Sequence, residues 1–282
     1  MVYNYEERIV AFIDILGFSN IIKSSINSDE KLLDIVSAIV YINEYFKSVK
    51  QNYEDPNILQ LSQFSDSIVI SVSMKNSLEM LSIFKHLKKI QTNLVMYDIL
   101  LRGGIVKGKL IHRDGLLLGP GMINAYHLES KCALHPRIVI DPKVLWQFAR
   151  VDGNKKRERL KDFKYEKSFK TEMDGLAYID YFNDVEEYLE TANPEEYFSK
   201  LCSIVAKNID SDDVSLKVKY LWMRQKVFKS IYYDKYKTIS NQNIEEIPEE
   251  HRLAYRLAIE SLKSGQCNEP YEKLISDILE LV

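Results

Sequence analysis

The apolar positions along this chain change period several times, and the changes mark out its elements. Residues 8–15 form an apolar run broken by one carboxylate, Asp14, which predicts a buried strand. An amphipathic stretch follows and predicts a helix over 19–50. Residues 58–73 read as a hairpin with Ser65, Asp66 and Ser67 at its tip. Leu78, Leu81, Ile83, Phe84, Leu87 and Ile90 line one side of a helix over 76–97. Next come a strand over 99–111, a turn at Asp114-Gly115, a short strand, a helix over 121–132 and a strand over 137–140. The hydrophilic, basic stretch 154–159 reads as a loop, and a last strand over 176–182 closes the sheet. This order, close to βαββαββαβ, predicts an α+β fold with helices packed on one sheet.

After Asn183 the pattern is helical only, over 194–209, 212–236, 248–264 and 269–281, with Pro194 suited to a helix start. The chain is therefore expected to divide into a sheet-and-helix domain, 1–185, and an all-helical region, 186–282, serving dimerisation or regulation. Within the latter, Val218, Leu221, Trp222, Val227, Phe228 and Ile231 make an apolar side fit for packing on a neighbour.

The candidate chemistry lies in the interrupted strands. A carboxylate inside an apolar run is costly unless it is paired or bound to a cation. Asp14 and Asp66 both sit so, although either alone could be an ordinary turn former or helix cap. Asp14 is followed by Gly17, Phe18 and Ser19, where strand gives way to helix and backbone amides can receive an anion. Two carboxylates beside such a helix start suit two divalent cations holding a nucleoside triphosphate.

Composition narrows the alternatives. A net charge of −3 over 282 residues offers no basic excess, which argues against nucleic acid as a partner. The three cysteines, Cys132, Cys202 and Cys267, have no metal-ligand spacing, and the five histidines form no HExxH, which disfavours a zinc hydrolase. The cysteines fit a reducing compartment. The N-terminal segment is polar, and no apolar run approaches the roughly 20 residues of a membrane span. A soluble, cytoplasmic protein without direct membrane contact is expected.

Four stretches, taken in order, resemble the catalytic domain of class III nucleotidyl cyclases over about residues 6–182. Phe12-Ile-Asp-Ile-Leu-Gly-Phe18 is similar to that family's first metal motif, and Phe64-Ser-Asp-Ser67 to its second, where Gly-Asp is usual; the two aspartates are 52 residues apart. Leu101-Arg-Gly-Gly-Ile-Val-Lys-Gly108 resembles its Arg-x-Gly-Ile-x-x-Gly strand. The stretch 118–129 resembles the helix that carries its transition-state residues. Ser62 stands where adenylate cyclases usually have Lys, and Leu116 where they usually have Asp, which leaves a smaller, more apolar base pocket. Ser65, the pair Gly103-Gly104, and Leu128-Glu-Ser followed by His135-Pro-Arg-Ile138 look like the bacterial pyrimidine cyclases of the Pycsar anti-phage systems.

The resemblance implies a ferredoxin-like cyclase fold and formation of cyclic UMP from UTP, with cyclic CMP from CTP as the runner-up and a degenerate, inactive nucleotide-binding fold as the rival. It implies two Mg²⁺ or Mn²⁺ ions held by Asp14, Asp66 and the Ile15 carbonyl. Phosphates would be cradled by amides of Leu16, Gly17, Phe18 and Ser19, and the base would lie near Ser62 and Leu116. In the transition-state helix, one register puts His127 in the usual Arg position and Ile123 in the usual Asn position; sliding by one residue puts Asn124 in the Asn position and Leu128 in the Arg position. The first register preserves more of the motif. Arg102 and Arg137 are then the nearest replacements for the missing cation. The family builds its sites between two catalytic domains, so a single domain implies a head-to-tail homodimer, and the product implies a separate effector protein that reads it.

Overall fold

Strand β1 (Glu6–Ile15) lies between β3 (Ser67–Ser73) and β4 (Leu101–Arg113), antiparallel to both, and β2 (Leu59–Phe64) pairs with β3. Helix α1 (Phe18–Ser25) and the longer α2 (Asp29–Gln51) connect β1 to β2, and α3 (Ser77–Leu94) connects β3 to β4. The resulting order β2-β3-β1-β4 is that of a ferredoxin-like βαββαβ unit, as expected of this α+β chain. Beyond β4 the sheet continues through β6 (Ile138–Ile140), which is parallel to it, then β8 (Ala177–Ile179) and β7 (Phe169–Thr171). A short β5 (Leu116–Leu118) folds back on the end of β4, and α4 (Pro120–Cys132) makes the crossover to β6. This is a computed structural model that describes residues 3–75, 77–149 and 168–240.

Alternation along β1 sorts its side chains. Ile9, Ala11, Ile13 and Ile15 face a core closed by Ile42 and Phe46 of α2 and by Ile83, Phe84, Leu87 and Ile90 of α3. Each Ile, Leu or Phe among them, fully buried, contributes roughly 2 kcal/mol from removal of apolar surface from water. Val10 and Phe12 point the other way, into a smaller cluster with Val69, Val106, Leu110 and Ala125 under α4. There the helix lies against bare backbone. A Cβ on Gly104 would stand 2.8 Å from the Ala125 carbonyl oxygen and from the Glu129 nitrogen, and one on Gly108 would stand 2.7 Å from Gly121 Cα. Only glycine permits that approach. It presses Gly121, Ala125 and Glu129, spaced one helical turn apart, onto the strand.

Some boundaries differ from the pattern of the sequence. The single helix expected over 19–50 is two helices, because Ser28 caps a new start: its hydroxyl accepts from the Lys31 amide, with Asp29 and Glu30 in the first turn. Helix α5 (Pro142–Ala149) and strand β7 carry too little periodicity to have been anticipated. The expected strand over 176–182 ends at Ile179, since the Asp180 carboxylate turns back to accept from the Phe182 amide and the Asn183 side chain.

The chain divides into two units, residues 1–220 and 221–282. Helix α6 (Pro194–Asn208), from the stretch expected to separate at 186, therefore belongs with the sheet: Tyr197 donates to the Tyr181 carbonyl at 2.6 Å, and Lys200 pairs with Asp98 at 3.0 Å. Helix α7 (Val214–Ser240) carries the expected apolar residues; Trp222 and Val227 are buried, whereas Val218 and Leu221 are exposed. The side chain of Ile231, the loop expected over 154–159, the helices expected over 248–264 and 269–281, and Cys267 lie outside the described residues. Cys132 and Cys202 are free thiols. Among the described residues no helix is long and apolar enough to cross a membrane.

Candidate active site

Asp14 stands near the end of β1, in register with Ser67 on one side and Arg102 on the other. Alternation turns its side chain to the α4 side of the sheet. The Arg102 Nε lies 2.9 Å from Asp14 Oδ2 and equally 2.9 Å from Glu129 Oε1. That nitrogen carries one hydrogen. It is donated to Asp14, so Glu129 Oε1 is held by charge alone and has no hydrogen bond. Glu129 is 3% exposed, delivered there by the glycine-lined contact of α4 with β4. Burial raises the pKa of Asp14; Arg102 opposes the shift and the nearby Asp66 charge adds to it. Burial likewise raises Glu129, with Arg102 opposing and Asp14 adding.

Asp66 reaches this cluster through a hairpin. Phe64 and Ser67 pair, leaving Ser65 and Asp66 as the two-residue loop. Of these only Ser65 has positive φ, at 56°, the pattern of a type II′ turn, whose first central position favours glycine. The tip is tied to β1 by the Ile15 N–H, which donates to the Asp66 carbonyl at 3.2 Å. The two aspartates found in separate segments of the sequence thus stand at one end of adjacent strands.

The start of α1 opens beside them. Gly17, at φ 74°, is its N-cap, and the Gly17 carbonyl accepts from the Asn20 and Ile21 amides. The Leu16 amide, expected among the phosphate ligands, donates instead to the Leu100 carbonyl at 2.9 Å and is spent on the sheet. The amides of Gly17, Phe18 and Ser19 remain, as the first amides of any helix do.

These residues suit hard cations. Among the described residues no group of three or more His, Cys, Asp or Glu side chains could hold a metal ion. Two carboxylates with nearby main-chain carbonyls are instead the incomplete oxygen set that Mg²⁺ or Mn²⁺ completes with substrate phosphates. A cation would also relieve the mutual repulsion that contributes to the raised pKa of Asp14.

The other candidates fall into different settings. Asn124 and His127 are exposed on the outer side of α4, beside exposed Ile123 and Tyr126. Arg137 is only 1% exposed: it pairs with Asp174 and reaches the Cys132 carbonyl, where a positive charge complements the end of α4. Its guanidinium is thus committed to Asp174 and the end of α4, whereas Arg102 is paired with the candidate site's own carboxylates. Ser62 is half-buried, with its hydroxyl 2.9 Å from His112 Nε2. Leu116 is exposed on β5, next to Leu117, which pairs in register with His112. Because Leu116 pairs with Arg113 and alternates with Leu117, the register turns it to the face opposite the His112 side chain that Ser62 meets, so one chain does not bring the two base-pocket candidates together. Glu129 and His112 were not singled out from sequence. A Glu one turn beyond the small residues Gly121 and Ala125 was the available signal for the first; nothing local marked the second.

The sequence matches no family model and no curated protein sequence. Among solved structures, the chain is similar to the monomeric guanylyl cyclase domain of the RhoGC fusion protein from the aquatic fungus Blastocladiella emersonii, at 15% identity and TM-score 0.41, covering 62% of this chain and 94% of that one. The catalytic core of a rhodopsin-guanylyl cyclase with converted specificity, in complex with ATPαS, aligns at 14% identity and TM-score 0.41, covering 62% and 96%. A bacterial light-regulated adenylyl cyclase aligns at 14% identity and TM-score 0.36, covering 71% and 99%. Likenesses at this level carry no weight for function, and the ferredoxin-like topology rests on the strand order itself.

Proposed function

We propose that this protein is a pyrimidine nucleotide cyclase that converts UTP to 3′,5′-cyclic UMP and pyrophosphate, acting in the cytoplasm as the signal-producing half of an anti-phage system whose effector is a separate protein. The observation that carries the reading is the convergence of Asp14 and Asp66 beside the open amides of Gly17, Phe18 and Ser19. In the reaction the ribose 3′ oxygen bonds to the α-phosphorus, the bond to the pyrophosphate oxygen breaks, and the 3′-hydroxyl proton is released. Two Mg²⁺ or Mn²⁺ ions would supply Lewis-acid polarisation of the phosphoryl oxygens and stabilise the departing charge. Asp14, Asp66 and the Ile15 carbonyl are the groups to hold them. Arg102 neutralises Asp14 in the free protein, and Glu129 is the second carboxylate that can keep it when Asp14 turns to a cation.

The rest of each site would come from a second copy, in a head-to-tail homodimer. Its Ser62 would face the base, and Asn124 and His127 the transition state. The exposed Phe64 (53%), Ile123 (57%) and Tyr126 (49%) support such pairing, since apolar side chains on the α4 side of the sheet are otherwise left in water.

Purified protein incubated with each ribonucleoside triphosphate and Mn²⁺, with products identified by mass spectrometry, tests the reading. Cyclic UMP is expected first and cyclic CMP second. Cyclic AMP as the main product would overturn the base assignment, and nucleotide binding without product would mark a degenerate fold. Co-expression of Asp14→Ala with His127→Ala chains, each inactive alone, tests the shared site. Activity should return through one intact site per heterodimer, and no return from a demonstrated dimer would sink the head-to-tail arrangement.

A further inference from the structure

Four charged groups meet at the end of β1, and their charges do not balance. Asp14, Asp66 and Glu129 set three carboxylates against the one guanidinium of Arg102. Arg102 and Asp66 are the charges that act on Asp14, and Arg102 and Asp14 those that act on Glu129. The surplus is two negative charges, the complement of one divalent cation. Hydrogen bonding is out of balance too. Arg102 Nε carries a single hydrogen and stands 2.9 Å from both Asp14 Oδ2 and Glu129 Oε1. Asp14 receives that hydrogen, which leaves Glu129 Oε1 buried without a hydrogen bond. An unmet carboxylate oxygen in a dry interior is costly. The backbone of Glu129 cannot retreat from it, because α4 rests on the bare chain at Gly104, where a Cβ would stand 2.8 Å from the Glu129 nitrogen. Arg102 has more room, its side chain being 29% exposed against 3% for Glu129.

We propose that Arg102 is the internal counter-ion of this site: it covers Asp14 in the free protein, passes to Glu129 when a divalent cation takes Asp14, and returns when the cation leaves. The inference rests on the two-cation reading above. In the free state Asp14 is paired and Glu129 carries the unmet oxygen. In the loaded state Asp14 and Asp66 would hold the cation and the same Nε hydrogen would satisfy Glu129, so no carboxylate is left without a partner. Nε already lies at hydrogen-bond distance from both oxygens, and the exchange therefore needs a turn of the N–H direction rather than a long movement of the side chain. Glu129 is a positioning residue in this scheme, acting on the cation through Arg102. Without its charge, Arg102 has Asp14 as its one strong partner and a cation must compete harder; without Arg102 the competitor is gone. Plain attraction and repulsion by the two charges would give the same two signs, so the deciding quantity is where the Nε hydrogen goes.

Two measurements on the full chain test this without nucleotide or turnover. Mn²⁺ binding, followed by loss of the free-ion EPR signal, should weaken about tenfold in Glu129→Gln and tighten about tenfold in Arg102→Met. In protein labelled with ¹⁵N at arginine, the Arg102 Nε–H signal, assigned by its loss in Arg102→Met, should change frequency on saturation with Mg²⁺ and exchange slowly with water both before and after. Fast exchange in the Mg²⁺-saturated wild type would show the guanidinium passing to solvent instead of Glu129. An unchanged signal beside demonstrated Mg²⁺ binding would show that it never leaves Asp14. Either result overturns the proposal, as does a folded Glu129→Gln with wild-type affinity for Mn²⁺. The spectrum of the wild type needs no Glu129 variant, so the proposal stays open to refutation should Glu129→Gln fail to fold. Absence of any Mn²⁺ binding to the wild type would overturn the two-cation reading and this inference with it, whereas binding with the Nε hydrogen unmoved overturns this inference alone.

Discussion

The two sides of the central sheet are built from the same strands, one residue out of step, and could hardly differ more. Ile9, Ala11, Ile13 and Ile15 face a continuous apolar core closed by α2 and α3. Val10, Phe12 and Asp14 face a side that α4 covers only in part, where Arg8, Arg102, His112 and Glu129 are held in place by partners. The first side sets stability through buried area. The second leaves charge and open backbone at its edge, where Arg8, Arg102 and His112 have hydrogen-bond partners and Glu129 Oε1 is held by charge alone. Packing and the proposed chemistry thus lie on opposite sides of a single layer, and substitutions on the two sides should separate stability from activity.

The sharpest test is at the carboxylates. Asp14→Asn and Asp66→Asn should each reduce cyclisation more than about 1,000-fold, because each removes a negative ligand worth several kcal/mol of charge stabilisation. Thermal melts should show both variants folded, and Mn²⁺ should raise Tm of the wild type but not of the variants. Activity above about a tenth of wild type in either would remove the two-cation reading.

On the opposite side, Phe84→Ala should cost about 3–5 kcal/mol in urea unfolding without altering nucleotide preference. Gly104→Ala should cost about 1–3 kcal/mol and also lower activity, because a new methyl group 2.8 Å from α4 backbone must lift the helix that carries Glu129. Loss of stability in Gly104→Ala with full activity would break the proposed link between the α4 contact and the site.

Acid should divide the two sides in a measurable way. His86, on the α3 side beside Tyr45, and His112, within hydrogen-bond distance of Ser62 and Ser71, are both held neutral with pKa values lowered to about 4, mainly by burial. The unfolded chain binds these protons near pH 6.5 and the folded one only near pH 4, so stability is fully present above about 6.5 and falls as pH drops toward 4. Each histidine can account for up to roughly 3 kcal/mol of that loss. His112→Gln should remove its share of the slope and leave that of His86; an unchanged pH profile would show that His112 is not buried neutral.

The smallest expected effect is at the hairpin tip. Ser65→Gly relieves a left-handed serine worth about 1–2 kcal/mol, partly offset by the greater freedom of glycine in the unfolded chain. A net gain under about 1 kcal/mol is expected from the shift in the urea midpoint. A net loss would mean that the serine side chain supports the turn.

By itself the sequence determined the order of the major elements, the α+β class, the strand setting of Asp14, the hairpin tip at Asp66 and the helix start after Gly17. Each is a local property: periodicity, turn chemistry and one polar residue in an apolar run need only a few neighbouring residues to be expressed. Only the tertiary structure decided which charges meet. It put Arg102 between Asp14 and Glu129, committed Arg137 to Asp174, spent the Leu16 amide on Leu100, and joined Ser62 of β2 to His112 of β4. Those pairings depend on strand register and on a helix resting against bare glycine backbone, so a one-residue slip would send every one of these side chains to the opposite face with no change in composition or local pattern.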